Sequence, residues 1–461
     1  MALIPDEYMR PDMMAIGDSL YQGVRSLTIK RGMTQLSAPA QIAEALGIRH
    51  KFTCPDPDRP ILIDMEEWLR MLPDLDAIKA DLAANVDYWF KTPASPTGRL
   101  LFENISVASA TIEDLYTQSW KTADDYLKAL PPQAKRRIKA LDFDGLELGM
   151  IVQSLNARFT LNPSKQRNLR GMTQVGMVTA RRPKRLLVNI GSNNGLWEIA
   201  FEAKPGARMK FKRDLKILAR QLNALPPDVE QIYFNSLGLP STVPNLMPVP
   251  DHVEWDHKPG PGKYFDRYEN RFGFDYGTIT AAQMAKLDAH VAKVNSEAEK
   301  ILRDAFDDPK RLHFVDLAKL LKSYDEKHQR QTDNNVVKLK NGLTLSNVTT
   351  EADFWGGFAR GGLQGLDGMH PTVVGYALMA ECVLEAIKKA EPNVQASKIN
   401  RDRAFARDKL LTDMPGIWSL ALWLWRDVRR ARSRGEPEPI ATPDRAAAKT
   451  VMQACSHAAR R

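Results

Sequence analysis

The sequence predicts a three-layer α/β/α domain with a mostly parallel central sheet, followed by a helical C-terminal extension. Short apolar runs alternate with longer helical patterns from residue 13 onward, and 43% of the 461 residues are apolar, which is enough for a substantial buried core. The composition shifts after Pro392. We therefore expect one domain over residues 1–393 and a basic, partly flexible helical extension over 394–461.

The predicted elements follow from hydrophobic periodicity. Short apolar runs predict strands at 13–17, 101–107, 186–191, 230–235 and 312–316. Amphipathic patterns predict helices from Ser37 to Leu46, from Trp68 through Asp81 to Phe90, over 207–224 and over 281–305. The stretch 36–99 is longer than a simple crossover, so one interpretation makes part of it a flap over a site.

Residues 236–277 are rich in Pro, Gly and aromatic side chains. A loop this long inside a domain is typically functional or mobile. Two interpretations stay open, a segment that selects the substrate and a packed irregular excursion.

Charge and cysteine usage restrict the compartment and the partners. The net charge of +9 is concentrated in residues 396–461, which hold 14 Lys/Arg and 7 Asp/Glu. Such a tail suits nucleic acid, an anionic membrane surface or an acidic partner, and charge alone does not choose among them. Three scattered cysteines support neither a disulfide framework nor a zinc site. With no secretory pattern and no spanning apolar run, we expect a cytoplasmic protein, with membrane contact from inside as an alternative.

The most informative motif is Gly17-Asp18-Ser19-Leu20, directly after the apolar run 13–16. A serine at the exit of a strand can be held as an exposed nucleophile, but this short string carries little weight alone. Three further blocks accompany it in order: 104–111 (NISVASAT), 191–194 (GSNN) and 367–372 (DGMHPT). The last block supplies a carboxylate and an imidazole three residues apart, at the start of a predicted helix that opens with Pro371.

These four blocks resemble the SGNH (GDSL) hydrolase superfamily over roughly residues 10–390. The resemblance implies a flavodoxin-like α/β/α fold. It also implies that Ser19 is the nucleophile and that His370 is the general base, oriented by Asp367. The oxyanion hole would combine the backbone N–H groups of Ser19 and Ser109 with the side-chain amide of Asn193.

Two positions depart from the family pattern. Ser109 stands where the second block commonly has glycine, and Asn194 stands where the third block often has aspartate. A backbone N–H survives the first change if serine tolerates the local φ and ψ. The second position is not a triad member, so we interpret it as variation.

Structural interpretations compete with each motif. Taken singly, the blocks could be a helix N-cap, a capped turn and an ordinary loop, and only their joint order favours an enzyme. Asp316 is interpreted as a structural loop residue and 181–185 (RRPKR) as a solvated turn. His252 and His257 imitate a metal cluster, but their Pro-rich loop supplies no ligands beyond Glu254 and Asp256, so no metal site is predicted.

The C-terminal segment 414–434 combines Trp418, Trp423 and Trp425 with a run of arginines. One interpretation is an interfacial helix that makes peripheral membrane contact. The other is a helix that docks its Trp/Leu face on the catalytic domain, which we favour slightly.

Together these observations predict a serine esterase or lipase that acts on a small-molecule or lipid ester through an acyl-enzyme, without a cofactor. The alternatives are a carbohydrate O-acetylesterase and a non-catalytic SGNH-like protein that binds a membrane or partner. Nucleic acid is not favoured as a partner.

Overall fold

A computed structural model describes residues 4–416 apart from 73, 141–144, 207–208, 210, 249–258, 261, 271–276, 330–331 and 353–356. Its strands are β1 (Met13–Gly17), β2 (Arg185–Asn189), β3 (Gln231–Asn235), β4 (Leu246–Pro248), β5 (Arg267–Asn270), β6 (Thr278–Thr280), β7 (Leu312–Val315), β8 (Val337–Lys338), β9 (Thr344–Leu345), β10 (Glu351–Ala352) and β11 (Phe358–Arg360). The central sheet is parallel, in the order β1-β2-β3-β7. Four predicted strands are therefore confirmed to within two residues.

The fifth predicted strand, 101–107, is only partly regular. It lies along the free edge of β1, where Ala15 exchanges backbone hydrogen bonds with Glu103 and Ile105 and forms a single parallel bridge with Asn104. The N–H groups of Glu103 and Asn104 both turn to the Thr53 carbonyl, which interrupts the ladder. The resulting order of five segments, with 101–107 outside β1, has the flavodoxin-like topology.

The helices are α1 (Ser19–Gln22), α2 (Arg31–Thr34), α3 (Ala38–Ala45), α4 (Met65–Met71), α5 (Leu75–Phe90), α6 (Asp114–Thr117), α7 (Trp120–Ala129), α8 (Ala134–Lys139), α9 (Gly145–Leu161), α10 (Gln174–Arg181), α11 (Leu196–Glu202), α12 (Lys212–Asn223), α13 (Ala281–Ala305), α14 (Leu317–Ser323), α15 (Val373–Ala390), α16 (Arg401–Ala406) and α17 (Lys409–Thr412). In β1, Met14 and Ile16 face a core that includes α9, α10, α12 and α13 residues, while Met13 and Ala15 face one that includes α3 and α15 residues. Because strand side chains alternate between faces, this division confirms the three layers.

Helix predictions hold where periodicity is strong. The structure confirms α3, which Ser37 and Leu46 flank, and α13, whose bounds match the prediction. The predicted run from Trp68 to Phe90 is two helices, because Leu72 before Pro73 is extended, the conformation that a following proline favours. Of the predicted helix 207–224, the described helical part is α12; residues 207, 208 and 210 lie outside the described residues.

The described parts of 236–277 include β4 and β5, which form a small antiparallel sheet with β6 and pack in a separate apolar cluster. The described part of the predicted extension also packs, because α17 buries Leu410 and Leu411. The division of the chain at residue 393 stays a prediction. Among the described residues, no helix is long and apolar enough to cross a bilayer.

Candidate active site

Ser19 lies where β1 turns into α1. Gly17 has φ +142°, and a Cβ there would come within 2.0 Å of the Asn189 carbonyl oxygen, so this turn against β2 requires glycine. Asp18 then caps α1 by accepting a hydrogen bond from the Leu20 N–H. The strand end therefore holds Ser19, 9% exposed, at the carboxyl edge of the parallel sheet.

His370 and Asp367 reach Ser19 from the loop before α15. The Ser19 Oγ lies 3.0 Å from His370 Nε2, and His370 Nδ1 lies 2.6 Å from Asp367 Oδ2. An imidazole that donates its Nδ1–H to Asp367 presents the Nε2 lone pair to the serine hydroxyl. Thr372 caps α15 through the Gly375 N–H, which fixes the end of the loop.

Asp367 is fully buried. Burial by itself would raise the pKa of Asp367, but the His370 imidazole and the backbone N–H groups of His370 and Met369 lower that pKa below its ordinary value. The Leu27 N–H adds a further hydrogen bond to Oδ2, at 2.9 Å. Asp367 is thus an ionised carboxylate whose two oxygens are both hydrogen-bonded.

Ser109 adopts the left-handed backbone conformation, with φ +66°. Serine therefore occupies the conformation for which glycine is the usual residue. Within the described part of the chain, neither the Ser109 N–H nor the Ser19 N–H donates to a backbone or side-chain acceptor. Both N–H groups are free to bind an anionic oxygen.

Asn193 lies in a short 3₁₀ turn after β2 and donates from Nδ2 to the Ala110 carbonyl at 3.0 Å, which leaves its second amide hydrogen for another acceptor. Its neighbour Asn194 accepts from the Ile112 N–H. The third block is thereby tied to the loop that carries Ser109.

Ser19, Ser109, Asn193 and His370 line one cavity of about 270 Å³, and Asp367 lies behind His370. The structure therefore brings together every residue predicted for the site. Most of the other lining side chains are apolar: Val24, Leu27, Ile29, Ile63, Ala108, Leu148, Met150, Val152 and Trp197. Of the stretch 36–99, the described lining includes only Ile63, and none of it comes from 236–277.

Helix α9 forms a wall of the cavity through Leu148, Gly149, Met150, Val152 and Gln153, none of which was predicted. No helix was predicted over this stretch, although its apolar residues are typical of a buried helix. Glu198 on α11 was also missed, and no local signal in the sequence marks it as a cavity residue.

A buried polar layer lies behind Ser19. Asn189 donates to Asp18 Oδ1, and Asn235 donates to Asn189 and to the Tyr21 hydroxyl. Among the described residues, Asp18 Oδ2 has no hydrogen-bond partner, and burial raises the pKa of Asp18 to about 7. Gln22 accepts the Ala108 N–H, beside Ser109. The positions of Asn189 and Asn235 at strand ends were the signal that could have revealed this layer.

The remaining predictions have different outcomes. Asp316 caps α14, as the structural interpretation expects. The solvated-turn prediction for 181–185 is wrong for Arg181 and Arg185, which are buried, Arg181 paired with Glu103 and Arg185 with Glu391. In each case a carboxylate from a distant segment offsets the free-energy cost of burying the guanidinium group. The local sequence does not reveal that partner.

Some predictions fall outside the described residues. They are His252 and His257 with their acidic neighbours, and residues 417–434 of the Trp/Arg segment. Within the described residues, no group of three or more His, Cys, Asp or Glu side chains could hold a metal ion.

In this three-layer α/β/α fold, a serine, a histidine and an aspartate are hydrogen-bonded in series at the carboxyl edge of the parallel sheet, an arrangement that also occurs in serine hydrolases. The GDSL-like lipase/acylhydrolase family model matches residues 13–383, and the chain belongs to that family. Membership makes it a hydrolase of ester substrates. No curated protein matches the chain significantly.

Proposed function

We propose that this protein is a serine carboxylic ester hydrolase, an esterase or lipase, that acts through an acyl-enzyme with Ser19, His370 and Asp367 as its triad. The observation that carries the proposal is the continuous chain of hydrogen bonds from Ser19 Oγ through His370 to a buried, ionised Asp367. This chain opens into a cavity large enough for a small ester.

In the first half of the reaction, Ser19 Oγ attacks the ester carbonyl carbon and its proton passes to His370 Nε2. The negative carbonyl oxygen of the tetrahedral intermediate is stabilised by the N–H groups of Ser19 and Ser109 and the Asn193 amide. His370 then returns the proton to the leaving alcohol as the carbon–oxygen bond breaks. Asp367 stabilises the imidazolium and keeps the ring oriented.

In the second half, His370 takes a proton from water, and the resulting hydroxide attacks the acyl-enzyme carbonyl. Collapse of this second intermediate releases the acid, and the proton returns to Ser19 Oγ. The side chains named here are sufficient for this chemistry without a cofactor.

The test is hydrolysis of p-nitrophenyl esters from acetyl to palmitoyl by the wild type and by Ser19→Ala. We expect turnover by the wild type and a loss of at least about 10⁴-fold in kcat in the variant. The chain length with the highest kcat/KM distinguishes a lipase from an acetylesterase. Equal activity of both proteins would contradict the triad assignment, and inactivity of both on every ester would count against the esterase proposal itself.

A second candidate, a carbohydrate O-acetylesterase, is favoured by Glu198. This carboxylate lines the same cavity as Asn193, and its Oε2 is buried without a hydrogen-bond partner in the described part of the chain. A buried acceptor without a donor costs free energy, which a hydroxyl group of the bound alcohol would recover.

The matched test compares the wild type with Glu198→Met, which keeps the length of the side chain but has no oxygen acceptor, on an acetylated sugar and on p-nitrophenyl acetate. If a sugar hydroxyl donates to Glu198, kcat/KM falls about tenfold or more for the sugar ester only. A similar change for both esters argues for the simple esterase.

A further inference from the structure

The loop formed by residues 25–27 donates a hydrogen bond to Asp367 and has an energetically unfavourable backbone conformation. Leu27, whose N–H donates to Asp367 Oδ2, has φ +56°, and Ser26 before it has φ +51°. Two successive non-glycine residues in the left-handed region require support from their surroundings.

Buried charged groups supply that support. Arg25 binds Glu66 through a bidentate pair at 2.7 Å and 2.7 Å, and its third nitrogen, Nη1, lies 2.6 Å from Asp408 Oδ1. Ser26 Oγ donates to Glu66 and accepts from the Leu366 N–H, directly before Asp367. Arg25, Glu66 and Asp408 are all at most 4% exposed.

Asp408 contacts the histidine side of the site as well. Its Oδ2 accepts the Val373 N–H at 2.7 Å, and Val373 is the first residue of α15, three residues after His370. Oδ1 also accepts the Leu410 N–H of α17. One carboxylate from the predicted extension therefore joins the Arg25–Leu27 loop to the start of α15.

We propose that Asp408 is a positioning residue for the Asp367–His370 pair, acting through Arg25 on one side and Val373 on the other. This inference rests on the proposed function. It gives Asp408 a role in the site, although this residue lies beyond residue 393 and is not among the described residues that line the cavity beside Ser19.

The experiment measures kcat and KM of Asp408→Ala and Asp408→Asn on a p-nitrophenyl ester, with kcat expressed per active site titrated by a fluorophosphonate. Displacing reacting groups by about 1 Å can cost up to 10²-fold in rate. We expect kcat per titrated site to fall about 10- to 100-fold in Asp408→Ala with KM within about threefold, and less in Asp408→Asn, which keeps an acceptor for Val373.

Arg403→Ala is the matched control, because Arg403 lies on the same segment and pairs with Glu44 at the surface. It should leave kcat and KM unchanged. If Asp408→Ala does not fold, Ser26→Ala removes the bridge between Glu66 and Leu366 while keeping every charge, and kcat per site should fall several-fold.

If Asp408 has only a structural role, Asp408→Ala lowers the titrated fraction or the melting temperature but leaves kcat per titrated site within twofold of the wild type. That result would overturn the inference. Ser19→Ala in the same assay separates the two proposals. Full activity of Ser19→Ala would refute the triad itself, whereas an inactive Ser19→Ala beside a normal Asp408→Ala would refute only the positioning role.

Discussion

At the scale of single residues, the candidate oxyanion hole mixes two kinds of donor. Ser19 and Ser109 offer backbone N–H groups, which no change of side chain removes, whereas Asn193 offers a side-chain amide. The serine at 109 is compatible with the role because its backbone adopts the left-handed conformation, for which glycine is the usual residue.

This difference predicts opposite results for two substitutions. Asn193→Ala removes a donor, and we expect kcat to fall by about 10²- to 10³-fold with little change in KM. Ser109→Gly keeps the N–H and suits φ +66°, so its kcat should stay within about threefold. Steady-state kinetics on one p-nitrophenyl ester checks both, and a normal Asn193→Ala would remove Asn193 from the oxyanion hole.

The raised pKa of Asp18 predicts that the stability of the folded protein depends on pH. Burial raises its pKa from 3.8 to about 7, so between these values the folded protein binds this proton more tightly than the unfolded chain does. The contribution of Asp18 to stability is therefore highest below about pH 4, declines as pH rises, and reaches its lowest value above about pH 7.

Asp18→Asn keeps the cap but cannot ionise. We expect the free energy of unfolding of the variant, relative to that of the wild type, to increase from pH 5 to pH 8. Urea unfolding at both pH values checks this. An equal difference between variant and wild type at both values would mean that Asp18 does not titrate in this range.

At the scale of elements, the turn between α10 and β2 shows why charge patterns are unreliable guides to exposure. Arg181 is fully buried, donates to the Phe102 carbonyl and pairs with Glu103, while the adjacent Arg182 is exposed beside Asp228. Arg181 thereby joins the end of α10 to the irregular 101–107 segment.

These neighbouring arginines form a matched pair for mutagenesis. Arg181→Ala leaves Glu103 without its buried partner, and we expect a loss of about 3–5 kcal/mol in the free energy of unfolding. Arg182→Ala removes only an exposed pair and should cost less than about 1 kcal/mol. Chemical denaturation measures both, and equal small losses would show that Glu103 finds another partner or solvent.

At the scale of the whole molecule, the position of the domain boundary determines which C-terminal residues contribute to the stability of the fold. Residues 400–416 bury Asp408, Leu410 and Leu411, so their contacts belong to the folded domain even though their composition resembles the tail. Residues 417–461 lie outside the described structure, and their contact with a membrane stays a prediction.

Two C-terminal deletions separate these parts. Deleting 400–461 removes the buried side chains, each apolar one worth about 1.5–3 kcal/mol, and should lower the melting temperature by several degrees more than deleting 417–461. Equal melting temperatures would show that 400–416 contributes nothing to the fold. Pelleting with anionic vesicles, comparing the 417–461 deletion with the full chain, tests the membrane interpretation separately.

The sequence by itself determined the parallel strands, the layers and the order of the four blocks. Short apolar runs are local signals, and the carboxyl ends of parallel strands lie at one edge, so Ser19 and Asn193 were expected at the same edge of the sheet. The spacing of Asp367 and His370 at the start of a helix was equally local.

Only the tertiary structure decided what surrounds these residues. The burial of Arg181, the wall formed by α9 and the link from Asp408 to Arg25 each depend on partners far away in the chain, as far as 383 positions for the last pair. Whether a charged side chain is solvated or buried depends on whether packing brings it an opposite charge. No local pattern in the sequence shows which distant residue supplies that opposite charge.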